Sequence, residues 1–262
     1  MLEALGLSRR APRPEEFRDR VLNEVRKLRP AAAISEVDGL DFTIQWPDRA
    51  SPTEYTLADH YADCLARPRD TDGVVRHAAS IINISADPPR EEWLAVVVRA
   101  DGHNPNDTTD NPFLKQPVVR GVNAVVVVDT PHGYQFLSAE ALREELGLTD
   151  DDLWRRAFEN TRDLMDLANV PLPTGKSTQV LRADGLMASL VVFDEFWDAE
   201  PRRAAGPEVV ALMGSNRLVA APLSEKAAVH AMRREIARLP RNREWITSDL
   251  IVRRDGRWDV LS

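Results

Sequence analysis

Residues 149–169, TDDDLWRRAFENTRDLMDLAN, constrain what this chain can fold into more than any other stretch. Leu153, Trp154, Ala157, Phe158, Thr161, Leu164, Met165 and Ala168 recur at helical spacing and predict one broad apolar stripe. Thr149 stands where an N-cap belongs, and Asp152 adds negative charge at the positive end of the helix dipole. Asn160 is out of character. It follows Ala157 by three residues and precedes Leu164 by four, which sets it on the packed face. A buried amide without partners costs about 1–3 kcal/mol, so the spacing predicts that Asn160 bonds to something inside.

The rest of the chain supplies what such a helix needs to pack against. Pro14 opens a helix to residue 28, with Phe17, Val21, Leu22, Val25 and Leu28 on one side. Asp38-Gly39 marks a hairpin, and helices are predicted over 56–66 and 72–83. Residues 94–98 read as a strand, 101–116 as a long exposed loop, and VNAVVVVD (122–129) as a strand covered on both faces. Ser138 caps a short helix through 146. Later come hairpins over 177–194 and 209–221, a helix over 224–239 and a last hairpin over 245–261. Strands that arrive as hairpins with helices between them predict an α+β fold with a largely antiparallel sheet. Repeated strand–helix–strand crossovers, which a parallel nucleotide-binding sheet requires, are missing from this order. The expected divisions are a tail over 1–12, an α+β subdomain over 13–90 and a second α+β subdomain over 91–262.

Composition excludes several classes. No apolar run approaches the roughly 18 residues of a membrane helix, and the first residues lack the hydrophobic core of a secretory signal. A single cysteine, Cys64, fits a reducing compartment, and the expectation is a cytoplasmic protein. The net charge of −8 disfavours nucleic acid and anionic lipid as partners.

Motifs that could carry chemistry are weak. Thr174-Gly175-Lys176-Ser177 ends like a phosphate-binding loop, yet Val170 stands where its first Gly is required, and the run follows a helix instead of opening one. His60 and Cys64 have the spacing of two metal ligands on one helix face, without a second pair to complete a site. Asp101, His103, Asn104, Asn106, Asp107 and Asp110 offer oxygen ligands without the order of a calcium loop. Ser189 lacks the turn of a nucleophile elbow, and Glu195 with Asp198 reads as solvated acid rather than a catalytic pair. No metal and no cofactor is expected.

From residue 94 to the C-terminus the chain resembles, in order, the YtpQ-like bacterial family, a domain of unknown function. The resemblance is carried by the 124–129 run, by LGLTDDDLWRRAFENTRDL with Ala157 and Asn160, and by DGLMASLVVFDEFW at 184–197. LVAAPLSEKAAV and the closing RRDGRWDVL continue it. The chain departs from the family pattern at Met187, where an aromatic-plus-acid pair often precedes Ala-Ser, and at Thr161, where Leu commonly follows Asn. The resemblance implies a soluble bacterial protein and brings no reaction.

Two functions follow as expectations. The first is a non-catalytic binding or adaptor protein that takes a protein partner or a small ligand, as an immunity protein or chaperone masks its partner. Trp154, Trp197, Trp245 and Trp258 are the aromatic candidates for an exposed contact face. The alternative is a hydrolase-type enzyme with a site assembled near Arg99, Asp129, Asn160 and Ser189. The sequence leaves the oligomeric state open.

Overall fold

The computed structural model describes residues 11–49, 52–102, 107–109, 112–165, 179–182, 185–199, 208–238 and 245–261. The motif at 174–177, Ala168 and Asn169 of the expected helix, His103, Asn104, Asn106, Asp110 and most of the expected tail lie outside them. The chain divides into two compact units. One holds the residues up to Pro88 together with Thr130–Gln135, and the other holds Pro89–Asp129 and the chain from Phe136 onward. The boundary falls two residues before the expected one, and a short later stretch joins the first unit.

In the first unit, Pro14 at the start of α1 (Pro14–Leu28) supplies a preset φ, with acids in the first turn and bases in the last. Of its expected stripe, Phe17, Val21, Leu22 and Val25 are buried, whereas Leu28, the last residue of the helix, is 52% exposed. A meander follows of β1 (Ala33–Asp38), β2 (Asp41–Gln45) and β3 (Thr53–Thr56), each antiparallel to the next. Gly39 turns the first hairpin at φ +58°, a conformation that favours glycine. The helix expected from residue 56 begins later, as α2 (Ala58–Ala66), because Thr53–Thr56 pairs with β2 instead. With α3 (Thr71–Ile84) these elements enclose a core of Phe17, Val25, Phe42, Ile44, Trp46, Val74 and Ala78 among others.

The second unit contains two antiparallel sheets. The smaller holds β4 (Leu94–Ala100), β5 (Lys115–Val119) and β6 (Val122–Thr130), with β6 in the middle. Strand β5 takes Lys115 and Gln116 from the stretch expected as loop and continues to Val119, because these residues pair antiparallel with β6. Along β6, Ala124, Val126 and Val128 pack toward the helices. Val125 and Val127 are also buried on the opposite face, as the unbroken apolar run requires. After the short strand β7 (Gly133–Gln135), which belongs to the first unit, come α4 (Ala139–Leu146) and α5 (Asp150–Met165) of the second. Ser138 caps α4 by accepting from the Ala141 amide, and Gly147 closes it at φ +67°.

The larger sheet is ordered β12-β11-β9-β10-β8. Its strands are β8 (Gln179–Arg182), β9 (Glu208–Gly214), β10 (Arg217–Pro222), β11 (Leu250–Arg254) and β12 (Arg257–Val260). Helices α6 (Asp194–Asp198) and α7 (Lys226–Arg238) complete the unit. Met232 and Ile236 of α7 pack on Val209, Ala211, Val219 and Val252.

The run 186–194 departs from its expected form, the return strand of a hairpin. Met187–Val192 is a buried 3-10 helix that touches both β4 and β10. Strand β8 pairs with β10 instead. An unbroken apolar run has no period to separate strand from buried helix. The helical turns satisfy part of this segment's backbone locally, as Ser189 N–H bonds to Leu186 C=O.

Phe17 has no exposed surface and faces Tyr61 with ring centroids 5.6 Å apart. Truncation leaves a cavity, so Phe17→Ala lowers the unfolding free energy by about 3–5 kcal/mol. Urea denaturation checks this, and a loss below about 1 kcal/mol contradicts the packing described.

Candidate functional site

Strand β4 is an edge strand of its sheet, and among the described residues one side of its backbone has no neighbouring strand. Helix α5 takes that place. The Asn160 amide donates to Leu94 C=O at 3.0 Å and to Glu91 C=O at 2.7 Å. One residue on, the Val96 amide donates to Thr161 Oγ1 at 2.7 Å, and that hydroxyl donates to Ala157 C=O at 2.7 Å. Leu94 and Val96 are two apart, so their polar groups point to the same edge. Two helix side chains therefore satisfy part of a row that would otherwise be a pairing edge. Thr161 is fully buried, and its hydroxyl explains why a polar residue serves in an apolar stripe. Leu164, which the spacing sets in that stripe, is 58% exposed. At the helix start, Thr149 Oγ1 accepts from the Asp152 amide and donates to its carboxylate. The Thr149 hydroxyl, with Arg155, holds the Asp152 carboxyl below the usual range.

Of the four site residues predicted from the sequence, the structure separates Arg99 from Asp129. Arg99 pairs in register with Asn123, six residues before Asp129 on β6. At about 3.4 Å per residue the two lie roughly 20 Å apart along the sheet. The Arg99 guanidinium bonds to Val98 C=O and lies 5.9 Å from the Phe136 ring centroid. Asp129 and Asn160 share the other end of the sheet, since Leu94 pairs with Val128. Strand alternation turns Asp129 to the face opposite Val128. Asp129 is half-buried, and burial pushes its carboxyl pKa up. Ser189 sits in the 3-10 helix at 1% exposure, its Oγ without a hydrogen-bond partner among the described residues.

Glu195 and Asp198 do not form a pair. Glu195 goes to Arg162 of α5 at 2.7 Å, whereas Asp198 and Asp194 flank Arg253. Arg253 is 9% exposed. Burial opposes its charge, the two carboxylates outweigh that cost, and its pKa rises. Beside it, Trp197 Nε1 donates to Leu190 C=O and Trp258 Nε1 to Val191 C=O, each at 2.7 Å. The tryptophans meet edge to face with centroids 5.1 Å apart. Arg253 and these indoles thus fasten the 187–198 segment to the larger sheet. Trp154 and Trp197 are buried and Trp245 and Trp258 half-buried, so these four do not make the expected exposed aromatic face. Their rings serve the core.

The first unit holds a polar cluster that sequence reasoning misses. Trp46 Nε1 donates to Tyr55 Oη, and Tyr55 Oη lies 2.6 Å from Ser85 Oγ. Ser85 Oγ donates to Ile82 C=O at 2.8 Å, so Tyr55 must be the donor to Ser85. Burial raises the Tyr55 pKa and keeps the phenol neutral. Arg29 binds Asn83 Oδ1 and Asp87 Oδ1, each at 2.7 Å, and Arg49 donates to the Ser85 and Asp87 carbonyls. His132 Nε2 lies 3.7 Å from Asp87 Oδ2. These residues are scattered from Arg29 to His132 and carry no spacing signal. Ser85 and His132 do not act as a nucleophile–base pair here, because the Ser85 proton is committed to a carbonyl and the imidazole faces the acid. Helix α2 meets α3 through His60 and His77, whose ring centroids are 5.8 Å apart. Cys64, which shares the metal-ligand spacing with His60, is fully buried against Thr71. Among the described residues no group of three His, Cys, Asp or Glu could hold a metal ion.

The edge bond and the half-buried carboxyl can each be tested by substitution. Thr161→Val keeps shape and removes the acceptor of the Val96 amide, which costs about 1–3 kcal/mol in denaturant unfolding. Thr161→Ser keeps the hydroxyl and costs less; equal losses would contradict the bond. For Asp129 the folded pKa lies above the unfolded one, so the native state binds the extra proton. Its contribution to stability is therefore full below the unfolded carboxyl pKa and falls as pH rises through the folded one. Asp129→Asn removes that fall, so its thermal midpoint exceeds the wild type's at neutral pH and the gap closes in acid. A gap that widens in acid would contradict the assignment.

Compared with family models, with curated proteins and with solved structures, the chain gives no match.

Proposed function

We propose that this chain is a non-catalytic binding or adaptor protein whose partner is acidic. The observation that carries the reading is the use made of Asn160 and Thr161, which commit their polar atoms to main-chain groups of β4 and its approach. A contact face is offered by the outward side of α7. Ala227, His230, Arg233, Arg234 and Ala237 line a shallow groove of about 410 Å³ there. Two arginines and a histidine on a molecule of net charge −8 favour an acidic segment of a protein partner, and an anionic small ligand has the same chemistry. A masking role, as of an immunity protein or chaperone, belongs to this reading. So do the YtpQ-like resemblance, a bacterial source and a cytoplasmic location, none of which brings a reaction.

The alternative, a hydrolase-type enzyme near Arg99, Asp129, Asn160 and Ser189, is supported by the raised Asp129 carboxyl. Arg99 stands at the far end of the same strand pair, which leaves that carboxyl without the guanidinium the alternative assigns to it.

The test is native capture of partners on the immobilised chain, compared with the Arg233→Glu, Arg234→Glu double variant at matched stability. Binding is expected to weaken at least about tenfold in the variant and to weaken with salt. Equal capture by both proteins removes the α7 face from the reading. Ester or phosphoester turnover that disappears in Asp129→Asn would replace it with the alternative.

A further inference from the structure

Helices α1 and α3 of the first unit lie side by side and run the same way. Arg20 of α1 pairs with Asp72 in the first turn of α3, and further along Arg29 reaches Asn83 near its end. From the first of these contacts the helices leave a groove of about 320 Å³. Arg20, Asn23, Glu24 and Lys27 recur three or four apart and form one ridge of α1, as Asp72, Val75 and Arg76 do on α3. Val75 is buried and gives the groove its apolar floor, while the polar side chains form its walls.

Pairing decides the charge of this groove. Lys27 Nζ holds Glu24 at 2.6 Å, and Arg20 holds Asp72. Each acid has its own base, which leaves Arg76 as the cation with no hydrogen bond or ion pair among the described residues. Asn23 Oδ1 accepts from Arg26 at 3.3 Å, so its amide hydrogens are uncommitted among the described residues. The Lys27 ammonium has three hydrogens and donates one to Glu24. The lining is thus net positive on a molecule of net charge −8. A planar guanidinium presents paired N–H donors that match the oxygens of a carboxylate or phosphate. The volume stands at the small end of the roughly 300–1,000 Å³ usual for small-molecule sites, which fits a compact anion better than a chain segment. Glu24 and Asp72 oppose such an anion less than free carboxylates would, because each sits against its base.

We propose that the α1–α3 groove binds a small molecule through an oxyanion group, phosphate or carboxylate, with Arg76 as its anchor and Asn23 and Lys27 as further donors. This site lies wholly in the first unit and does not depend on the proposed contact face of α7.

The experiment titrates the full isotopically labelled chain with inorganic phosphate, against sodium chloride at matched ionic strength, and follows backbone amides by nuclear magnetic resonance. Phosphate is expected to shift the amides of residues 20–27 and 72–76 along one saturable curve that chloride does not reproduce. A second titration with succinate separates the sources: tighter binding than phosphate assigns a carboxylate ligand, and weaker binding a phosphate one. Arg76→Gln should weaken binding at least about threefold. Arg76 is exposed, so the anion-free thermal midpoint should stay unchanged. Arg76→Lys keeps the charge, loses the fork and should fall between. The Arg233→Glu, Arg234→Glu variant should show the same shifts as the wild type, so that failure of either site leaves the other standing. Shifts absent at roughly 50 mM phosphate would overturn the proposal. So would shifts matched by chloride, or binding that Arg76→Gln leaves unaffected.

Discussion

A sheet edge closed by a helix is the constraint on which the second unit depends. Among the described residues strand β4 pairs on one side only, and its other row of amides and carbonyls would offer itself to another chain. Asn160 and Thr161 close part of that row, and they do so from the face of α5 that also buries Leu153 and Ala157. One helix therefore provides both hydrophobic cover and hydrogen-bond closure. An apolar residue at 161 would serve the first task and leave the Val96 amide unsatisfied, a cost of about 1–3 kcal/mol. The polar residues inside an otherwise apolar stripe fix the position of helix against strand, since a shift along the helix axis would break the bonds to Glu91, Leu94 and Val96 together.

The second fixed point is the 3-10 helix at Met187–Val192, which meets β4 on one side and β10 on the other. Trp197 and Trp258 cap its last carbonyls, and Arg253 holds the acids of the short helix that follows. An irregular segment inside a core needs such partners for its backbone carbonyls and amides. Asp194 and Asp198 are largely exposed, and their pairing with the buried guanidinium keeps its charge near solvent. The exposed ends limit the desolvation that a fully interior ion pair would suffer.

Local patterns make much of this architecture legible in the sequence. The stripes at 14–28 and 150–165, the Asp38-Gly39 turn, the Ser138 cap and the doubly buried 122–130 strand each follow from periodicity or turn chemistry. The 187–192 run misleads because an apolar sequence without alternation fits more than one backbone. Strand β5 is hidden for another reason: Lys115, Gln116 and Pro117 are exposed edge residues, with Pro117 and Lys115 suited to blunting that edge. The site is less legible than the fold. Arg99 and Asp129 look adjacent in kind, yet strand register decides their distance, and register is set by pairing that sequence does not display. His60 and His77 meet across two helices, which no spacing within one helix can reveal.

The donor chain from Trp46 through Tyr55 and Ser85 to Ile82 has a fixed direction. An indole N–H can only give a proton, and a backbone carbonyl can only receive one. Both ends are therefore one-way, and neither hydroxyl between them can reverse without leaving two hydrogens facing each other. The first unit thus carries a polarised wire whose sense is written by its end groups, a dipole aimed from the β2–β3 meander toward the end of α3. Any charge that approached that end would meet a field already set, with no reorientation left to perform.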